Sequence, residues 1–182
     1  MAAQIFVFEN VKEKEERHKL LQSALRDYSG IDSAEIVYKY KDRPSIKGTP
    51  KELFVSVTTV GEVMVCVFAE KNVGIDGENI ARVRDTSFAD YTTLAEKFFT
   101  SEEAEYCRNA DAGEAVNFLN VWVRKEAYCK YAGLGLKDFH TFSVANDEKI
   151  YSKVKGVTIK KFNPQFPGSS DYLFVIAGEV DI

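Results

Sequence analysis

Two carboxylates stand two residues apart in Gly74-Ile75-Asp76-Gly77-Glu78. Along an extended strand, residues i and i+2 leave the same face, so Asp76 and Glu78 would project side by side. Paired carboxylates repel unless a cation or a proton lies between them. Mg²⁺ suits such a pair, because it takes one or two carboxylates and completes its shell with water and phosphate oxygens. A solvated strand end that happens to carry two acids has the same spacing. A second constellation is Trp122-Val123-Arg124-Lys125-Glu126-Ala127-Tyr128-Cys129-Lys130. Trp122, Glu126 and Lys130 fall at i, i+4 and i+8, on one face of a helix. A Glu–Lys pair at this spacing is also a routine surface device worth about 0.3–0.5 kcal/mol. Phe118, Leu119 and Trp122 nevertheless put bulky apolar groups around it. A half-buried carboxylate beside a lysine can serve as a base or a ligand, its pKa set by its neighbours. Spacing alone leaves both constellations undecided.

The elements that must position these residues are legible in outline. Ile5 to Phe8 reads as a strand, and Val11 to Tyr28 as a helix with an apolar stripe of Leu20, Leu21, Ala24 and Leu25, closed by Gly30. Ala34 to Tyr40 is β-branched and aromatic enough for a strand, and Lys41 to Lys51, with Pro44, Gly48 and Pro50, reads as a loop. Leu53–Thr59 and Glu62–Ala69 form a hairpin about Val60-Gly61. The pattern then restarts with a strand over Val73–Asp76. Helices follow around Phe88–Phe98, from about Ser101, and from Glu114 to Tyr131, the last stopping at Gly133. Strands over Val157–Phe162 and Asp171–Ala177 close the chain. Strands and helices do not alternate as βαβ units, so the class is α+β, divided into an N-terminal half (1–71) and a C-terminal half (72–182).

Composition removes several functions. The 182 residues carry 24 Lys+Arg against 28 Asp+Glu, a net charge of −4, which argues against nucleic-acid binding. Phosphate chemistry must then rest on local basic clusters. Three cysteines without a Cys-x-x-Cys spacing give neither a disulfide framework nor a zinc ribbon. His18 and His140 lie far apart and read as structural. The longest apolar run, Val63–Ala69, is a strand's length and not a membrane span. With no basic, apolar leader at the N-terminus, a cytoplasmic protein is expected.

Taken together, the two constellations resemble a known family. Val73-Gly74-Ile75-Asp76-Gly77-Glu78 is similar to the Gly-Ile-Asp-x-Glu motif of the 4′-phosphopantetheinyl transferases. Trp122 to Lys130, followed by Gly133-Leu134-Gly135-Leu136, resembles their Trp-x-x-Lys-Glu-Ala-x-x-Lys motif and its Gly-x-Gly-Leu tail. Between them, Phe98-Phe99-Thr100-Ser101-Glu102-Glu103 looks like the family's Phe-Phe-x-x-Glu-Glu segment. Upstream, Asp42-Arg43-Pro44 is similar to its Gly-Lys-Pro, and Ser56-Val57-Thr58 stands in place of its Ser-His-Ser.

The resemblance implies two similar α+β halves related by pseudo-twofold symmetry, with coenzyme A in the cleft between them. Chain length favours the larger, monomeric, surfactin-synthetase-activating class over the short trimeric one. The implied reaction is attack of a serine hydroxyl of an apo acyl or peptidyl carrier protein on the β-phosphate of coenzyme A, releasing 3′,5′-ADP. Asp76, Glu78 and Glu126 would hold Mg²⁺, and Glu126 would take the serine proton, directly or through water. Lys130 would stabilise phosphoryl oxygens, and Lys125 would support the pyrophosphate or pair locally. Arg43 and Ser56 match positions that contact the nucleotide phosphates, while Trp122 and Phe99 read as packing. The carrier is expected to meet Arg82 and Arg84, with Lys97 and Lys137 behind them.

Two departures stand out. Val57 replaces the family's histidine and Phe54 an asparagine, so a donor to phosphate has become an alkyl group. Lys41, Lys47 or Lys51 are the candidates to replace that contact. Val57 also favours the alternative of a non-catalytic coenzyme A- or carrier-binding paralogue, against which stand Asp76, Glu78, Glu126 and Lys130.

Overall fold

Seven consecutive apolar residues, Val63–Ala69, form strand β5, and every one of them is buried. A strand with one wet face would alternate in polarity; this one does not, because both of its faces are covered. The computed structural model describes residues 2–38, 43–81, 90–109 and 113–180. β5 lies at the centre of an antiparallel sheet, between β1 (Gln4–Phe8) and β4 (Phe54–Val60). On one face, Cys66 and Phe68 pack with Leu21, Ala24, Leu25 and Tyr28 of helix α1 (Lys14–Ser29). On the other, Val63, Val65 and Val67 pack with Ile75, Phe174 and Ile176 of a second sheet.

That second sheet is also antiparallel, in the order β6 (Gly74–Asn79), β9 (Tyr172–Ala177), β8 (Val157–Phe162), β7 (Lys153–Val154). Alternation along β9 divides its side chains: Phe174 and Ile176 meet the first sheet, and Leu173, Val175 and Ala177 join the core beneath the helices. Those helices are α2 (Tyr91–Phe98), α3 (Ser101–Asn109) and α4 (Glu114–Ala132). The layers thus run helix, sheet, sheet, helices, the α+β architecture expected from the sequence.

The elements differ from expectation in detail. α1 starts at Lys14 rather than Val11, because Val11 is buried and its N–H donates to the Glu62 carbonyl at 2.9 Å. Of the strand expected over 34–40, the described residues hold β2 (Glu35–Val37), residues 39 and 40 lying outside them, and the expected loop holds β3 (Ser45–Lys47), which pairs with β2. Ser-Ile-Lys has little strand character of its own; its partner makes it a strand. β6 continues past Asp76 to Asn79, its ladder with β9 running from Gly74↔Ala177 to Asn79↔Tyr172. α2 begins at Tyr91 behind Asp90, whose side chain accepts the Thr93 N–H at 3.0 Å. Among the described residues, no helix is long and apolar enough to cross a membrane.

Candidate active site

Helix α4 lies so close to β6 that residue 74 has no room for a side chain. A Cβ on Gly74 would sit 2.1 Å from the Ala127 carbonyl oxygen and 2.4 Å from the Tyr131 nitrogen. This contact, which spans Ala127 to Tyr131, brings Lys130 within it and the adjacent Glu126 toward Asp76, two residues along β6. Asp76 is buried, and its Oδ1 accepts from Lys130 Nζ at 2.8 Å and from Thr58 Oγ1 at 3.2 Å. Lys130 Nζ also donates to the Val57 carbonyl at 3.1 Å, so one ammonium ties α4 to both β6 and β4. Gly77 makes room of another kind: a Cβ there would meet the Phe174 ring at 2.3 Å.

Electrostatics joins the acids. Burial pushes the Asp76 carboxyl above its ordinary value, opposed by Lys130, Thr58 and the Gly77 N–H. Glu126, half-buried, is raised first by burial and then by the charge of Asp76; Lys130 opposes this and Glu78 adds to it. Asp76, Glu78 and Glu126 therefore share one field. Among the described residues, however, no three His, Cys, Asp or Glu stand together as a ready-made metal set. The Asp76 carboxylate is drawn instead to Lys130. Among the described residues, Glu126 feels one ammonium, that of Lys130, against the carboxylates of Asp76 and Glu78.

The basic residues meet beside this pair. Arg43, Ser56 and Lys130, with Pro44, Val55 and Val57, line a cavity of ≈190 Å³. Arg43 Nη1 donates to Asn72 Oδ1 at 2.8 Å and to the carbonyls of Lys130 and Tyr131, both at 3.0 Å, closing the C-terminal end of α4 with a cation. Ser56 Oγ accepts the Ile75 N–H at 2.9 Å, stitching β4 to β6 as it lines the cavity. Pro44 and Val57 also line a neighbouring cavity of ≈690 Å³, largely apolar, with Lys14, Arg17 and His18 on its wall.

Sequence reasoning missed several of these. His18, read as structural, lines the larger cavity with its ring 5.5 Å from Tyr38. The spacing of Lys14, Arg17, His18 and Leu21 along one helical face was the available signal. Thr58 was passed over beside Ser56, although a strand turns both to one face. Trp122 and Phe99 are packing residues, as expected: Trp122 stacks on Phe118 at 5.7 Å, and Phe99 stacks on it at 4.9 Å.

Of the two roles expected for Lys125, the structure shows local pairing. Its side chain is wholly buried, and Nζ lies 2.8 Å from Glu103 Oε2 and 2.7 Å from the carbonyls of Phe139 and Phe142. An ammonium has three donors, and all three are used within the core. Lys125 thus pairs locally, with no donor turned toward either cavity. Of the substitutes considered for the missing imidazole, Lys51 pairs with Glu70 at 3.6 Å and Lys47 is exposed on β3, and neither lines either cavity. Lys41, and the candidate carrier contacts Arg82 and Arg84, lie outside the described residues.

A search of the curated proteins returns no match. The family model of the 4′-phosphopantetheinyl transferase superfamily matches residues 72–175, the segment that carries Asp76, Glu78, Glu126 and Lys130. With more than half of the sequence matched, the chain belongs to the 4′-phosphopantetheinyl transferase superfamily.

Proposed function

We propose that the protein transfers the 4′-phosphopantetheine group of coenzyme A to a serine of an apo acyl or peptidyl carrier protein, in a Mg²⁺-dependent reaction that releases 3′,5′-ADP. The observation that carries this reading is the Lys130–Asp76 contact of 2.8 Å, with Glu126 in the same field, beside the cavity lined by Arg43 and Ser56. The nucleotide of coenzyme A fits the ≈690 Å³ cavity, within the usual range for cofactor sites, with Lys14, Arg17 and His18 for its phosphate. The pyrophosphate fits the smaller cavity, where Lys130 and Arg43 meet. Two sheets packed within one chain support a monomer of the larger class.

The donor chemistry of Asp76, Glu78 and Glu126 suits Mg²⁺: hard carboxylate oxygens carrying more negative charge than Lys130 offsets. Two of the three suffice when water and phosphate oxygens complete the shell. Bound there, Mg²⁺ would neutralise the pyrophosphate and the charge that develops as its bond breaks. Glu126 accepts the proton of the carrier serine as its Oγ bonds to the β-phosphorus and the bond from that phosphorus to the 3′,5′-ADP oxygen breaks. Lys130 uses two donors within the protein and has a third for a phosphoryl oxygen.

One observation favours a second reading, a non-catalytic binder of coenzyme A or of the carrier: Val57, a residue with an alkyl side chain, lines both cavities. Intact mass of an apo carrier incubated with the protein, coenzyme A and Mg²⁺ separates the two. A gain of one phosphopantetheine, absent with EDTA and with Glu126→Ala, is the expected result. No gain across several fatty-acid and peptide-synthesis carriers, with coenzyme A still bound, supports the binder.

A further inference from the structure

Lys125 and Glu103 form an ion pair in which both side chains are fully buried. Such a pair contributes little net stability, because taking two charges out of water offsets most of their attraction. Its geometry is nonetheless complete. Lys125 Nζ spends its remaining donors on the Phe139 and Phe142 carbonyls and lies 4.4 Å from the Phe142 ring centroid. Glu103 Oε2 accepts the Thr100 N–H at 2.9 Å and the Thr100 hydroxyl at 3.1 Å, and Oε1 accepts the Val144 N–H at 2.7 Å. The pair thus joins three pieces of backbone: the start of α3, the segment 139–144, and α4.

We propose that Lys125, through Glu103, is a positioning residue that fixes the rotation of α4 about its own axis and so aims Glu126 at Asp76. The kinetic part of this rests on the transferase reading; the structural part does not. Consecutive helical residues point about 100° apart, so the direction of Lys125 into the core dictates that of Glu126 into the site. A turn of about 20° would move a side-chain tip 5–6 Å from the axis by roughly 2 Å. Displacements of about 1 Å at a reacting group already cost on the order of 10²-fold in rate. An apolar pair of equal volume would pack as well but would slide, whereas three directed N–H bonds admit one orientation.

The test is the pair variant Lys125→Met/Glu103→Gln, which removes both charges and keeps the volume. Its crystal structure is expected to show α4 turned about its axis and Glu126 displaced from Asp76. Its kcat is expected to fall by about 10–100-fold, with the coenzyme A KM within about 2-fold of wild type. Lys125→Arg serves if the pair variant does not fold: its planar fork cannot satisfy three acceptors arranged around an ammonium, so the same displacement is expected. An α4 in its wild-type orientation overturns the proposal, as does a raised coenzyme A KM at unchanged kcat, which would mean direct contact with coenzyme A. An inactive wild type would tell against the transferase reading alone, and the orientation of α4 would still decide the positioning role.

Discussion

Lys130 Nζ stands 2.8 Å from Asp76 Oδ1 across 54 residues of sequence, joining the helix and the strand that carry the candidate chemistry. Asp76 is buried, and burial lifts its carboxyl above the ordinary range in spite of Lys130. Lys130→Met strands that carboxylate with only Thr58 and the Gly77 N–H for support. We expect a loss of about 2–3 kcal/mol, below that of a fully buried pair because the Lys130 side chain keeps 30% exposure. Asp76→Asn/Lys130→Met should recover most of that stability and none of the transferase activity. Urea unfolding and single-turnover transfer, measured on the same three proteins, check both halves. Full stability in Lys130→Met would mean that the pair does no structural work.

Val57 sets a second prediction. Its carbonyl accepts from Lys130, and the residue lines both cavities. An imidazole there adds a donor where the structure has an alkyl wall, so Val57→His should lower the coenzyme A KM several-fold and leave kcat within about 3-fold. Val57→Ala enlarges the cavity without a donor and should not lower KM. Steady-state kinetics on the two variants settles the matter, and a KM for Val57→His equal to wild type counts against this placement of the phosphates.

The three thiols give a prediction independent of function. Cys66, Cys107 and Cys129 are buried, and burial pushes each up to about 12. At pH 8 the native thiolate fraction is then about one in ten thousand, against roughly a quarter for an unfolded cysteine. Native protein should resist iodoacetamide at pH 8, and protein in 8 M urea should take up three equivalents, counted by intact mass. Rapid native labelling of even one thiol would show that the core around it opens.

Much of this was legible in the residues, for physical reasons. Asp76 and Glu78 on one strand face, and Glu126 and Lys130 on one helix face, follow from backbone periodicity alone. So does β5, whose unbroken apolar run required cover on both sides. What periodicity cannot supply is the third dimension. Lys125 and Glu126 are neighbours in one motif, yet helical rotation sends the first into the core and the second to the site. The short strand β3 exists because β2 pairs with it, and His18 became a cavity residue only when α1 docked near β4.

The last prediction concerns the two glycines of the acidic motif, whose crowding differs in kind. A Cβ at residue 74 meets backbone: the Ala127 oxygen at 2.1 Å and the Tyr131 nitrogen at 2.4 Å. No rotamer relieves that overlap, so α4 itself must lift from β6 and carry Glu126 and Lys130 away from Asp76. At residue 77 the obstacle is the Phe174 ring, opposite it in the β6–β9 ladder. Gly74→Ala should therefore cost at least about 2 kcal/mol and abolish transfer, whereas Gly77→Ala should cost a similar amount that Phe174→Leu largely restores. No single side-chain truncation should rescue Gly74→Ala. Thermal melts of the glycine variants, with and without Phe174→Leu, make the comparison, and activity in Gly74→Ala near the wild-type level would show that the helix need not lie on the strand.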